Sequence, residues 1–288
     1  MKKLTVLLVL ATAACGGGSG TRTMIQNKGS DTLVNVAQSW AEAYKTVDPG
    51  VSVSVMGGGS GTGISALING TVDIANASRR MKPEEIEQAK AHGIEPVEFI
   101  VGYDALAIFV HKSNPLDSIT LGQLADIYGV GGLADTWDAL GVTVPQAKHG
   151  KIVRVSRQNN SGTYEYFKAA VLGHKRDYKL GSLDMHGSTD VVDLVAKTPG
   201  AIGYSGLAYA TDQVKLLPVA KDAGSAPVTP SKETAVDGTY PIARPLFMYS
   251  RGEPSGAAKT YLDWILSDTG QKIIADKGYA PVRKLQGK

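Results

Sequence analysis

The 288 residues are 43% hydrophobic and 20% charged, a soluble globular profile with room for one large domain or two modest ones. A formal charge of +3, falling to +1 once Lys2 and Lys3 are set aside (28 basic against 27 acidic residues), excludes the basic excess expected of a nucleic-acid partner. One cysteine, Cys15, excludes an internal disulfide and paired-Cys zinc sites, and five histidines without H-x-x-x-H spacing give no metal motif, so no metal or cofactor is expected.

Residues 1–14, MKKLTVLLVLATAA, combine a basic start, an apolar run and small residues. That reads as a secretory signal, too short to span a bilayer as a mature helix. Thr12-Ala13-Ala14-Cys15 resembles a bacterial lipoprotein cleavage box, with Thr12 where an aliphatic residue is usual. Cys15 is then the lipidated first residue, and residues 15–23 are a flexible Gly/Ser tether. The protein is expected to be exported and lipid-anchored, facing a periplasm or the cell exterior, as a monomer. The tether contains GGGSGT at Gly16–Thr21, and the same six letters return at Gly57–Thr62, where a tether has no purpose.

Met24–Asn27 reads as a strand. Leu33, Val36, Ala37, Trp40, Ala41 and Tyr44 have helical spacing, and Asp48-Pro49-Gly50 ends that helix. Val51, Val53 and Val55 alternate with Ser as in a strand. A short helix is expected over Ile64–Ile68, a strand over Val72–Ala77, a helix over Pro83–Ala91 opened by Pro-Glu-Glu, and a long strand over Val97–Val110. This β-α-β-α-β order argues for a parallel sheet with helices on both faces. Further on, helices are expected over Leu121–Tyr128, Ser161–Leu172, Thr189–Ala196, Ala257–Leu266 and Gly270–Asp276. Strands are expected around Ile152–Val155, at Ala201–Tyr204 and over Tyr240–Tyr249, with Lys221–Gly238 polar and irregular. The two extended runs, Val97–Val110 and Ile242–Tyr249, could each cross between lobes. The expected architecture is therefore α/β with two lobes joined by a two-strand hinge. Each lobe is a mixed sheet flanked by helices: residues 24–108 plus 243–288 form the first and 109–242 the second.

Three segments share one design, a strand, then Ser/Thr/Gly, then a helix: Gly29-Ser30-Asp31-Thr32, Gly59-Ser60-Gly61-Thr62-Gly63, and Ser161-Gly162-Thr163 with Arg157 four residues earlier. Free N–H groups and partial positive charge at a helix N-terminus suit an oxyanion, and small residues let it come close. Each segment alone also suits a plain helix cap. Ser78-Arg79-Arg80 ends the third strand, so all four segments are placed at the carboxyl ends of strands, where open α/β sheets bind ligands. Gly58–Gly63 has the frame of a nucleotide loop, but Ile64 stands where the lysine must be, and no nucleophile elbow occurs. Ser60 has no cue for a histidine base.

In order and spacing, KGSDT, GGGSGTGIS, DIANASRRMK and RQNNSGTYEYF resemble the PstS family, together with LGQLADIYGVGGLADTWDALG and AIGYSG. The likeness covers nearly the whole mature chain. It implies two α/β lobes closing on a dehydrated inorganic phosphate, for delivery to the membrane permease of an ABC importer, with no enzymatic step. The site it implies is Ser30, Asp31 and Thr32; Ser60, Gly61 and Thr62; Ser78 and Arg79; and Arg157, Ser161, Gly162 and Thr163. One branch of the family has Asp after the Ala-Ser of the third strand as acceptor of the ligand's proton. Arg79 follows Ala77-Ser78 here, as in the compact branch, which leaves Asp31 as the candidate acceptor, with Arg79 or Arg157 to offset its charge. Asp31 as a mere helix cap is the plain alternative. Another oxyanion (sulfate, molybdate, tungstate or arsenate) is the alternative ligand. A phosphatase, or a surface protein that senses or adheres, are the alternative functions.

Overall fold

The computed structural model describes residues 22–173 and 175–285. The signal segment, Cys15 and the first GGGSGT copy lie outside the described residues. The chain begins with β1 (Thr23–Gly29), α1 (Asp31–Val47), β2 (Val51–Met56), α2 (Ser60–Ile68), β3 (Ile74–Ala77), α3 (Pro83–Ala91) and β4 (Val97–His111). There follow β5 (Ile119–Thr120), α4 (Leu121–Tyr128), β6 (Val153–Arg157), α5 (Gly162–Phe167), β7 (Leu183–Met185), α6 (Ser188–Lys197) and β8 (Ala201–Gly206). The rest is β9 (Val214–Leu217), β10 (Val219–Ala220), α7 (Lys232–Val236), β11 (Ala243–Ser250), α8 (Gly256–Ile265) and α9 (Asp268–Asp276).

The helical spacing in α1 buries Leu33, Val36, Ala37, Trp40, Ala41 and Tyr44 on one face. Trp40 donates its indole N–H to Gly270 O at 2.8 Å, and Tyr44 packs edge-on against Tyr261 with centroids 4.9 Å apart. The C-terminal helices are thereby fixed on the first lobe. β1 pairs in parallel with β2 and β3, as the β-α-β order requires. β11 then enters from the far end of the chain, antiparallel to both β3 and β4. The sheet is mixed for that reason.

The sheet order is β2-β1-β3-β11-β4-β8-β6-β7, with β9 also on β4. β4 belongs to both lobes. Its residues 97–105 pair with β11, and its residues 106–111 pair with β8 and β9. The apolar cores divide at the same place. Val101 packs with Ile25, Trp40 and Leu246, whereas Leu106 packs with Tyr128, Trp137 and Ile242. Two strands thus change core within a few residues of each other, and the molecule is a two-lobed α/β fold.

Two expectations fail locally. The tether ends earlier than residue 23, because Thr23 is already paired with Val51 in β1. The polar stretch 221–238 contains α7, capped by Ser231 Oγ, which accepts from Thr234 N–H at 3.1 Å, with Ala235 buried. The short strands β5, β7, β9 and β10 carry no usable alternation. Among the described residues no helix is long and apolar enough to cross a membrane.

Candidate functional site

Three turns meet where the lobes face each other. Ser30 caps α1 by position, at the end of β1, and its backbone N–H is held by Asn76 O at 2.9 Å. Its hydroxyl donates to Ser78 Oγ at 2.9 Å. Ser78 follows β3, and its N–H donates to Ser60 Oγ at 3.0 Å, with the two hydroxyl oxygens 3.4 Å apart. Ser60 opens α2. All three serines are buried.

The second lobe closes on this cluster from the other side. Ser161 Oγ caps α5 by accepting from Thr163 N–H at 3.2 Å. Gly162 lies against the serines: a Cβ there would come within 2.2 Å of Ser60 Oγ and 2.6 Å of Ser78 Oγ. Only glycine permits that approach. Gly61 N–H donates to Asn160 O at 3.0 Å, and Asn160 Nδ2 donates to Gly58 O at 3.0 Å. Its other approach, to Thr62 Oγ1, is longer at 3.4 Å. Gly59 is in the left-handed region (φ 91°), and a Cβ would meet Asn160 O at 2.7 Å.

Asp31 does not cap its helix with its side chain. Oδ1 accepts the Gly58 N–H at 3.0 Å and Oδ2 accepts Arg157 Nη2 at 3.1 Å. This ion pair crosses the cleft, and of the two arginines offered from sequence it is Arg157 that answers Asp31. Arg157 is itself buried, held by His186 O at 2.7 Å, Ser188 Oγ at 3.0 Å and Met185 O at 3.3 Å. Burial pulls the Arg157 guanidinium below its ordinary range, with the Asp31 carboxylate pulling the other way. Tyr209, its hydroxyl pushed up to about 12 by burial, donates to Asp31 O at 2.7 Å, and Tyr279 donates to Thr32 O.

Arg79 turns to the mouth of the cleft. Its two terminal nitrogens grip Glu85 Oε2 and Oε1, each at 2.7 Å. Burial alone would raise the Glu85 carboxyl, but Arg79 and the Lys82 N–H outweigh it and hold it below its usual value. A groove of about 620 Å³ opens there, lined by Arg79, Lys82, Glu165, Tyr166, Arg244 and Phe247 among others. Lys82 and Glu165 pair across it at 3.2 Å.

Sequence reasoning missed Arg244, Asp104, Asn160, Ser188, Tyr209 and Tyr279. Arg244 on β11 stands opposite Asp104 on β4, both buried, with Nη2 and Nε 2.9 and 3.1 Å from Asp104 Oδ2. Burial pushes the Asp104 carboxyl up, against the pull of Arg244. Arg244 Nη2 also reaches Thr163 Oγ1 at 3.1 Å and Thr32 Oγ1 at 3.4 Å, while those two hydroxyls lie 3.0 Å apart. An acidic residue inside an otherwise apolar strand, and an arginine in the other crossing strand, were the available signals.

Chemically, the arrangement offers short hydroxyls, backbone N–H groups at the starts of α1, α2 and α5, and guanidinium groups each already matched by a carboxylate. It is suited to a small oxyanion.

The comparisons agree with this geometry. The family model described as a PBP superfamily domain matches residues 16–269. The phosphate-binding protein PstS of Pseudomonas aeruginosa is 37% identical over 276 residues, covering 92% of this chain and 84% of that protein. Protein SphX of Synechococcus elongatus is 32% identical over 299 residues, covering 98% and 86%. A phosphate ABC transporter substrate-binding protein of Clostridium perfringens, solved with bound phosphate, superposes with a TM-score of 0.79 at 32% identity, covering 91% of this chain and all of that one. With its two-lobed fold, its hydroxyl-lined cleft and relatives of this extent, the chain belongs to the PstS family of the PBP superfamily.

Proposed function

We propose that this protein is an extracytoplasmic receptor that captures inorganic phosphate between its lobes and delivers it to the permease of an ABC importer. One observation carries the reading. The hydroxyls of Ser30 and Ser60, at the starts of two helices, both lie within hydrogen-bonding reach of the Ser78 hydroxyl, and Gly162 of the opposite lobe is pressed against Ser60 and Ser78. The lobes are residues 24–108 with 243–288, and 109–242. The ligand groups are Ser30, Asp31, Thr32, Ser60, Gly61, Thr62, Ser78, Arg79, Arg157, Ser161, Gly162 and Thr163, with Arg79 at the entrance rather than the floor, and with the Gly61 N–H having to leave Asn160 O, 3.0 Å away, before it can reach an anion. Cys15 carries a lipid anchor, and the monomer closes by a hinge motion before docking. No chemical step is part of the proposal. The serine hydroxyls bond one another and backbone amides rather than a base, which supports capture over catalysis.

Selectivity rests on Asp31. Phosphate near neutral pH keeps a proton that a carboxylate can accept, and sulfate has none to give. Facing sulfate, the carboxylate would meet an oxygen with no hydrogen, an unpaired buried contact costing about 1–3 kcal/mol or more. Titration calorimetry tests this. Wild-type protein is expected to take phosphate with equimolar sulfate present. Asp31→Asn is expected to bind phosphate at least about tenfold more weakly and to narrow its preference over sulfate. Displacement of phosphate by equimolar sulfate in the wild type would refute the selectivity argument.

A further inference from the structure

Arg244 lies on one crossing strand and its counter-charge Asp104 on the other, in register. Both side chains are 1% exposed. Beside Asp104, Arg244 binds Ser78 O at 3.1 Å through Nη1, and Tyr166 lies under its guanidinium at 5.4 Å. Nη2 faces the hydroxyl of Thr163 from one lobe and that of Thr32 from the other.

A count of hydrogens gives this contact a direction. Arginine can only donate, and a threonine hydroxyl has one hydrogen and two lone pairs. The two hydroxyl oxygens are 3.0 Å apart, so one hydrogen lies between them. The threonine that accepts it also accepts from Arg244, which fills both of its lone pairs. Its own hydrogen is left over, and among the described residues neither hydroxyl has a further acceptor. That hydrogen is free to be donated to a ligand.

We infer that Arg244, held by Asp104, is a positioning residue for anion binding: it fixes the Thr32–Thr163 pair as a hydroxyl donor toward the bound anion. The pair joins one threonine from each lobe, so this donor exists only in the closed molecule. The inference rests on the phosphate reading above.

The test is a mutant cycle read by phosphate calorimetry and by melting without phosphate. Asp104→Leu with Arg244→Met replaces the ion pair by apolar groups of similar volume, a change that buried pairs tolerate. This neutral pair is expected to fold and to bind phosphate about 10- to 100-fold more weakly. Thr163→Val is expected to lose a similar factor, and the three changes together no more than either alone, since groups in one network are not additive. Arg244→Lys keeps the charge without the fork. It is expected to lose affinity as well, and it replaces the neutral pair should that not fold. Unchanged affinity in the neutral pair or in Arg244→Lys, or losses that multiply on adding Thr163→Val, would overturn the inference while leaving phosphate capture intact. A wild type that takes up no phosphate would overturn both.

Discussion

Gly162→Ala separates the ability to fold from the ability to close. Gly162 is the first residue of α5, outside the left-handed region, so alanine fits its backbone. In a helix alanine is the better residue by up to about 1 kcal/mol. The added methyl, however, would lie 2.2 Å from Ser60 Oγ, 2.6 Å from Ser78 Oγ and 2.9 Å from Ser60 Cβ. A rotated hydroxyl can relieve the first two contacts but not the third. Ordinary carbon contacts lie near 3.5–4.0 Å, so the loops must part by roughly 1 Å. Hydrogen bonds weaken steeply at that displacement. Losing two charge-assisted bonds to the anion, at about 1.5–3 kcal/mol each, weakens binding on the order of a hundredfold or more. The assay is calorimetry with phosphate, beside small-angle scattering with and without it. The expected result is an unchanged or higher melting temperature without ligand, a collapse in affinity, and no contraction on adding phosphate. Wild-type affinity in this variant would refute the claim that Gly162 meets the serines around the ligand.

Two further outcomes follow from the cleft mouth. Glu85, depressed by Arg79 below its ordinary 4.5, contributes stability that is fully present above that value and is lost as pH falls through its folded-state pKa. Melting curves from pH 7 to 3 should therefore show Glu85→Gln destabilised above pH 4.5 and converging on wild type below it, and a constant gap would contradict the assignment. Lys82 and Glu165 are each about a third exposed, at 37% and 27%, so their ion pair across the groove contributes at most about 1 kcal/mol. Lys82→Met should weaken phosphate binding less than about fivefold, mostly at low salt; a larger loss measured at high salt would mean that Lys82 touches the ligand.

Much of the fold was legible because its punctuation is local. Pro83-Glu84-Glu85 starts a helix, Gly93 follows its end, and the structure places α3 at Pro83–Ala91 as read. The turns bearing Ser30, Ser60, Ser78 and Ser161 were legible for the same reason. Each is a small-residue break between a strand and a helix or turn. What joins them was not. The insertion of β11 between β3 and β4 brings together residues from 138 (Ala243 and Ala105) to 176 (Ser250 and Ile74) positions apart, and no spacing rule reaches that far. Arg244, in Ala-Arg-Pro on an extended stretch, reads as a solvated charge until Asp104 is found opposite it. Asn160 was passed over because asparagine before a cap is ordinary turn chemistry. Its use as a strap on Gly58 and Gly61 belongs to the closed cleft alone.

Three of the guanidinium groups around the cleft share one property that sequence could not reveal. Arg157 is met by Asp31, Arg244 by Asp104 and Arg79 by Glu85. A lone buried arginine would attract a unit negative charge 4 Å away by about 4 kcal/mol at an effective dielectric constant of 20. It would do so for sulfate and phosphate alike. It would also leave an uncompensated charge in the ligand-free molecule, which is costly. Matching each cation internally removes both effects. Attraction then comes from hydroxyls, amides and helix ends, whose hydrogens point in fixed directions. On the reading proposed above, a site so balanced distinguishes anions by the positions of their protons more than by their charge: the Asp31 carboxylate needs a ligand proton to accept, while the donor at Thr32–Thr163 serves any anion oxygen and supplies affinity.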